Sequence, residues 1–257
     1  MAEHCAPPLQ LLKEFARHIS DIFIPPICIS CSQLVDRHHG LCAKCWREIS
    51  FVAGPVCDRL GIPLSFDPGD AVVMSAAALA KPPAYDRARA ATHFSGTVRD
   101  LMHRFKYGDQ HTARRLFAQW LLFAAQEIIT ECDIIIPVPL HRQRLRMRRF
   151  NQSAILAQDL STKTGLEFRP DILVRQRSTL PQVGLTRDQR RRNLQGAFSV
   201  PDEEGRELFG RSVLLVDDVI TTGTTIDICA RVLKQAGASQ VNIVAVSMVT
   251  AHSRIDL

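Results

Sequence analysis

No stretch of this 257-residue chain approaches the ~18 uninterrupted apolar residues that a membrane-crossing helix requires. The longest candidate, Leu121 to Ile129, is short and broken by Gln126 and Glu127. The first residues also lack a basic segment followed by an apolar one; Lys13 and Glu14 stand where that run would lie. The reading is therefore no secretory signal, no membrane insertion and a cytoplasmic location. Nor is the composition extreme: 46% hydrophobic and 23% charged residues are enough for a sizeable core, which excludes a disordered tail and a fibrous protein. The sequence shows no low-complexity tract and no internal repeat.

Acids are missing where arginine is densest. His141 to Asn151 holds five Arg and no acid, and Arg175 to Asn193 holds six Arg and one Asp. Together these segments exceed the formal net charge of +6, so the rest of the chain is mildly acidic. Charge that local points to a polyanionic ligand; the alternative is two solvated basic faces.

Of the eight cysteines, Cys28 with Cys31 and Cys42 with Cys45 form two C-x-x-C pairs ten residues apart. In a reducing compartment such pairs point to a metal rather than to disulfides. Each turn can aim two thiolates at one tetrahedral ion. Four thiolates close its shell and leave no place for water, so the expected site is structural zinc, which offsets the small core of so short a knuckle. A redox pair or free thiols are the alternatives, and His38 and His39 lie where they could replace a ligand.

Apolar residues at steps of three and four predict a helix over Leu9 to Phe23, ended by Pro25-Pro26. Gly54 to Gly69, rich in Pro and Gly, reads as loop and linker. The expected domains are 1–70, a helix and the ribbon, and 71–257. In the second, Ala71 to Leu79 is strand-like, and helices are expected over Ser95 to Lys106, Thr112 to Thr130, Asn151 to Thr164 and Thr224 to Ala236. Buried strands are expected over Asp133 to Val138, Val213 to Val216 and Val241 to Val249. Continuous apolar strands separated by helices mean an α/β fold, a parallel sheet covered by helices on both faces.

Val213 to Thr225 is the most informative segment. An apolar strand ends in Asp217 and Asp218, and a hydroxyl-rich turn, Thr221-Thr222-Gly223-Thr224-Thr225, leads into a helix. Such a turn at the carboxyl end of a strand offers backbone N–H groups and hydroxyls to a phosphate. The two carboxylates would repel a second phosphate, and suit sugar hydroxyls or a hydrated metal. A ribose 5-phosphate meets both demands.

This segment resembles the 5-phosphoribosyl-1-diphosphate (PRPP) motif of the type I phosphoribosyltransferases. The resemblance implies that Asp217 and Asp218 contact the ribose hydroxyls and that Thr221, Thr222, Gly223, Thr224 and Thr225 wrap the 5-phosphate. It implies Mg²⁺ bridging diphosphate and ribose oxygens. The loop Pro139, Leu140, His141 and Arg142 would hold the diphosphate, and the segment carrying Arg177 would close over the site. Further motifs occur in order: Phe105-Lys106-Tyr107, Pro137 to His141, Arg149-Phe150-Asn151-Gln152, Gln182 with Leu185, and Arg192-Asn193 with Ala197-Phe198. With the upstream cysteine pairs, residues 25 to about 250 resemble the ComF family, a zinc ribbon joined to a phosphoribosyltransferase-like domain. Its best-known members serve DNA uptake. Two departures stand out. Arg149 occupies a place where many members have Gly, which puts a turn of positive φ in doubt there. Cys57 is followed by Leu60 where many have a second Cys, so one zinc is expected.

Two functions follow. One is a PRPP-binding, phosphoribosyltransferase-like protein linked to DNA uptake or nucleotide metabolism. The other is a single-stranded DNA binding protein that uses the same phosphate affinity without transfer. Among single residues, His141 is either an acid–base group or a cap, and Phe105-Lys106-Tyr107 either stacks bases or packs a helix end. Trp46 is expected in the ribbon core, and Cys132 and Cys229 as buried, inert hydrophobes.

Overall fold

The computed structural model describes residues 25–69, 71–107, 112–177 and 186–250. The expected helix over Leu9 to Phe23 lies outside them, as do Gln182 and Leu185. The chain forms two compact units, 1–48 and 49–257. The first holds the zinc knuckle and a short helix, α1 (Ala43–Arg47). Trp46 is not in a core there: it is 47% exposed.

The compact units divide at 48 and 49, ahead of residue 70 where a domain boundary is expected, and residues 49–64 are tied to the first strand of the larger unit, β1 (Arg87–His93). Phe51 bridges Thr92, and Arg59 donates to the carbonyls of Tyr85 and Pro83. The Pro/Gly-rich stretch read as a linker is thus an ordered part of that unit. Ala71 to Leu79 is not a strand either. Ser75 caps a short helix, α2 (Ala76–Ala80), by accepting the N–H of Ala78. The missing strand is β1 itself, Arg-Ala-Arg-Ala-Ala-Thr-His, which no apolar run announces. Its arginines are accommodated by pairing: Arg87 and Arg89 share Asp58 at 2.8 and 3.0 Å, and Arg89 also reaches Glu127 at 3.2 Å.

Helices α3 (Gly96–Tyr107) and α4 (Thr112–Ala125) follow β1. The second ends earlier than Thr130, giving way to a 3-10 turn over Ile129–Glu131. Then come β2 (Ile134–Pro137), α5 (Arg142–Arg148), α6 (Gln152–Thr164), β3 (Glu167–Phe168), β4 (Val174–Arg175), α7 (Arg187–Leu194), β5 (Phe198–Ser199) and α8 (Asp202–Leu208). The chain closes with β6 (Ser212–Ile220), α9 (Thr224–Gln235) and β7 (Gln240–Met248). A five-stranded, wholly parallel sheet runs in the order β1-β7-β6-β2-β3; β4 and β5 form a separate antiparallel pair. Helices α4 and α6 cover one face, and α9 the other. Because both faces are covered, Ile134 to Ile136 and Val213 to Val216 are buried without alternation. Among the described residues no helix is long and apolar enough to cross a membrane.

Arg149 does adopt the turn that its side chain disfavours, with φ of 64° at the C-cap of α5. A non-glycine residue there carries a strain of about 1 kcal/mol. Arg149→Gly is therefore expected to stabilise the protein by up to about 1 kcal/mol, less the added freedom of glycine in the unfolded chain. Urea denaturation checks this; a destabilised variant would mean that the exposed guanidinium contributes more than the strain.

Candidate functional site

The site grows out of β6, which is longer than its apolar run. Pairing with β7 continues through Asp217, Val219 and Ile220, so the two acids lie within the strand rather than beyond its end. The strand's alternation separates them. Asp217 turns toward α6, where the Ser153 hydroxyl donates to its Oδ1 at 3.1 Å, and the backbone N–H of Asp218 donates to the same oxygen at 2.9 Å. Asp218 instead meets the Lys106 ammonium at 3.0 Å. Burial, and after it the neighbouring Asp218 carboxylate, push Asp217 up to about 7.

The motif Arg149-Phe150-Asn151-Gln152 is the scaffold of this pair. Asn151 caps α6 by accepting the N–H of Ser153, and donates to the Val138 carbonyl at 3.0 Å, fixing the loop after β2. Gln152 is buried and donates to the Lys106 carbonyl. Phe150 joins Phe105, whose ring is 5.5 Å from that of Phe117. Phe105 is fully buried, so its ring offers no base-stacking surface. This aromatic anchor holds Lys106 against Asp218. The sequence reading assigned neither Lys106 nor Ser153 to the acid pair, although Lys106 lies within the Phe105-Lys106-Tyr107 motif and Ser153 directly follows Arg149-Phe150-Asn151-Gln152.

Gly223 makes the turn after β6, with φ of 74° and no side-chain cap on α9. Glycine has no side chain to cap the first N–H groups of that helix. Thr222 and Thr224 bond to each other through their hydroxyls at 2.9 Å. Thr221, Thr222, Gly223 and Thr224 line a cavity of about 280 Å³ with Leu60, Lys81 and Tyr85, and Thr225 continues α9. Pro139, Leu140, His141 and Arg142 line another, of about 820 Å³, with Arg175. His141 caps α5, its Nδ1 accepting the N–H of Gln143 at 3.3 Å. Arg177 donates to the carbonyls of Asn193 and Gln195. Arg175 is buried, its guanidinium 5.3 Å from the Phe198 ring centre, and burial lowers it to about 10. Cys132 and Cys229 are buried, as expected.

The Asp217 titration has a sign. Its folded value lies above the ordinary carboxylate value, so the native state binds more protons between about pH 4 and pH 7. Stability from this group is full below about pH 4 and lost as the pH rises through about 7. Asp217→Asn is therefore expected to stabilise the protein at pH 8 by about 1–2 kcal/mol and to leave it almost unchanged at pH 4. Urea melts at the two pH values measure this; no gain at pH 8 would mean the carboxylate is fully compensated.

In the smaller unit the Sγ atoms of Cys28, Cys31, Cys42 and Cys45 lie within 4.8 Å of one another. His38 and His39 are not part of this cluster. Burial raises the Cys28 thiol, but the backbone N–H groups of Cys31, Cys42 and Ser30 outweigh it and bring it down to about 6. Cys45 is pushed by burial up to about 12. Four convergent sulfurs around one point fit a tetrahedral zinc and leave no open position, so the site is structural.

A parallel sheet with an acid pair and a Thr-Gly turn after its central strand defines a phosphoribosyltransferase-type domain, here preceded by a four-cysteine ribbon. Residues 19–77 match the double zinc ribbon domain and residues 153–254 the phosphoribosyl transferase domain. Competence protein F of Haemophilus influenzae is 31% identical over 222 residues, covering 84% of this chain and 94% of that protein. DNA utilization protein YhgH of Escherichia coli O157:H7 is 29% identical over 226 residues, covering 86% and 96%. Competence protein ComFC of Bacillus subtilis is 22% identical over 147 residues, or 56% of each chain. The chain belongs to the ComF family.

Proposed function

We propose that this protein binds PRPP or a related phosphoribosyl ligand at Asp217, Asp218 and the Thr221–Thr225 turn, in the service of DNA utilisation. The observation that carries the reading is the acid pair itself. Two adjacent carboxylates, one half-buried on Ser153 and one held by Lys106, stand one turn before a helix N-terminus without a side-chain cap. That arrangement suits a diol next to a phosphate. Carboxylate oxygens are also the donors Mg²⁺ prefers, and the ion would supply charge neutralisation on the diphosphate. Asp217 and Asp218 orient the ribose, and the loop from Pro139 to Arg142 receives the diphosphate. Bound so, PRPP is set for displacement at C1: an acceptor forms the new bond, and the C1–oxygen pair leaves with diphosphate. The acids lie beside the developing positive charge. The DNA link rests on what the relatives' names say of them.

Calorimetric titration with PRPP and Mg²⁺, with and without single-stranded DNA as competitor, tests the reading. Saturable PRPP binding is expected; none at millimolar ligand would overturn it.

A second reading, single-stranded DNA binding, is favoured by α5, a seven-residue helix that carries Arg142, Arg144, Arg146 and Arg148, no acid and no buried residue. Affinity for single-stranded DNA would then fall with salt at a slope of about −0.7 per phosphate neutralised. Replacing Arg144, Arg146 and Arg148 together by Ala is expected to flatten that slope. An unchanged slope would remove these arginines from any DNA-binding surface.

A further inference from the structure

The match to a double zinc ribbon implies two metal sites, yet among the described residues only one four-cysteine cluster occurs. The backbone nevertheless builds the ribbon twice. In the first, Ile27 bridges Leu34, the Cys28 N–H donates to the Gln33 carbonyl, and the Ser32 N–H returns to Cys28. Ser32 has φ of 64°. Twenty-nine residues on, Val56 bridges Pro63, the Cys57 N–H donates to the Ile62 carbonyl, and the Gly61 N–H returns to Cys57. Gly61 has φ of 66°.

The second half of each ribbon agrees as well. Cys42 caps α1, its Sγ accepting the N–H of Cys45; Ser75 caps α2, its Oγ accepting the N–H of Ala78. Both helices are five residues long. The four ligand positions Cys28, Cys31, Cys42 and Cys45 therefore correspond to Cys57, Leu60, Ser75 and Ala78. One thiol, one hydroxyl and two hydrocarbon groups cannot close a zinc shell, so the residues present do not fit a second metal.

We propose that residues 55–81 are a metal-free copy of the zinc ribbon, held by packing on the phosphoribosyltransferase-type domain where the first copy is held by its ion. The contacts that replace the metal are specific. Cys57 is fully buried, and its sulfur accepts the N–H of Ser75 at 3.2 Å, joining the two halves that an ion would join. Gly61 lies directly on β1: a Cβ there would stand 2.2 Å from the Ala88 carbonyl oxygen. Asp58 takes Arg87 and Arg89 of the same strand. Exchange of metal for packing also changed what the ribbon does. Leu60, on a ligand position, now walls the cavity of Thr221–Thr224. That wall is built without metal, so it persists when zinc is stripped from the chain.

Zinc and cobalt counts on the full chain test the proposal. Wild type and Cys57→Ser should each hold one zinc per chain. The triple variant Leu60→Cys, Ser75→Cys, Ala78→Cys, which completes the second set of four, should hold two, with the cobalt–thiolate absorbance per chain doubled. Two zinc ions in wild type, or loss of zinc in Cys57→Ser, would overturn the metal-free assignment. A folded triple variant with one ion would overturn the correspondence of ligand positions. Should the triple variant not fold, the counts for wild type and Cys57→Ser decide.

Discussion

Replacing Asp217 and Asp218 together by Ala is expected to lower PRPP affinity at least a hundredfold while inorganic phosphate still binds. Charge-assisted hydrogen bonds to a diol contribute about 1.5–3 kcal/mol each, and two are removed. Phosphate binding at Thr221 to Thr225 is not expected to depend on them, because that turn offers hydroxyls and the N–H groups of α9. The effect on the fold should be small, for two changes oppose each other. Deleting Asp217 removes a carboxylate that burial and Asp218 have pushed up to about 7. Deleting Asp218 takes the partner from Lys106, which sits 3.0 Å away in the wild type. Calorimetry with PRPP and with phosphate, alongside thermal melts, reads both. Retained PRPP affinity in a well-folded double variant would sink the phosphoribosyl assignment. If the alanine variant loses its cooperative melt, Asp217→Asn with Asp218→Asn keeps the shape of the site and carries the same test.

Cys28→Ser should have the larger structural effect, confined to one unit. Structural zinc in a four-cysteine site contributes about 10–16 kcal/mol of binding free energy, and in so small a unit that energy is folding energy. The variant is expected to lose its zinc and to unfold residues 25–48, seen as complete amide exchange and rapid proteolysis there. Residues 49–257 have their own core, from Ala88 and Ile134 to Ile243, and should keep their melting temperature within a few degrees. Simultaneous loss of both units would show that the ribbon's metal supports the larger domain as well.

Much of this site is legible from residue order, because its chemistry is local. Asp217, Asp218 and the Thr221–Thr225 turn are contiguous in the chain, and so are the paired cysteines. A strand, a turn and a helix N-terminus set their geometry with little help from elsewhere. Lys106 and Ser153 were not legible, since they reach the acids across long separations in sequence through α3 and α6. The strand β1 escaped for a related reason. An apolar-run criterion cannot find a strand whose buried arginine is neutralised by Asp58 and Glu127.

Arg149 shows the same division on a smaller scale: its residue type argues against positive φ, and the closing of α5 onto Asn151 and the Val138 loop imposes it. The internal repeat is the clearest case. By itself, the sequence determined the parallel α/β sheet, the acid pair followed by its Thr-Gly turn, and the four cysteines that cluster in the ribbon, because hydrophobic periodicity, turn chemistry and ligand spacing are written in short segments. The sequence also expected a single zinc, from Leu60 after Cys57; only the tertiary structure showed that the ribbon's backbone is built a second time, and that Lys106 and Ser153 hold the two acids. Those depend on backbone hydrogen bonds and packing between distant residues, which leave the fold unchanged while the side chains that once revealed it are replaced.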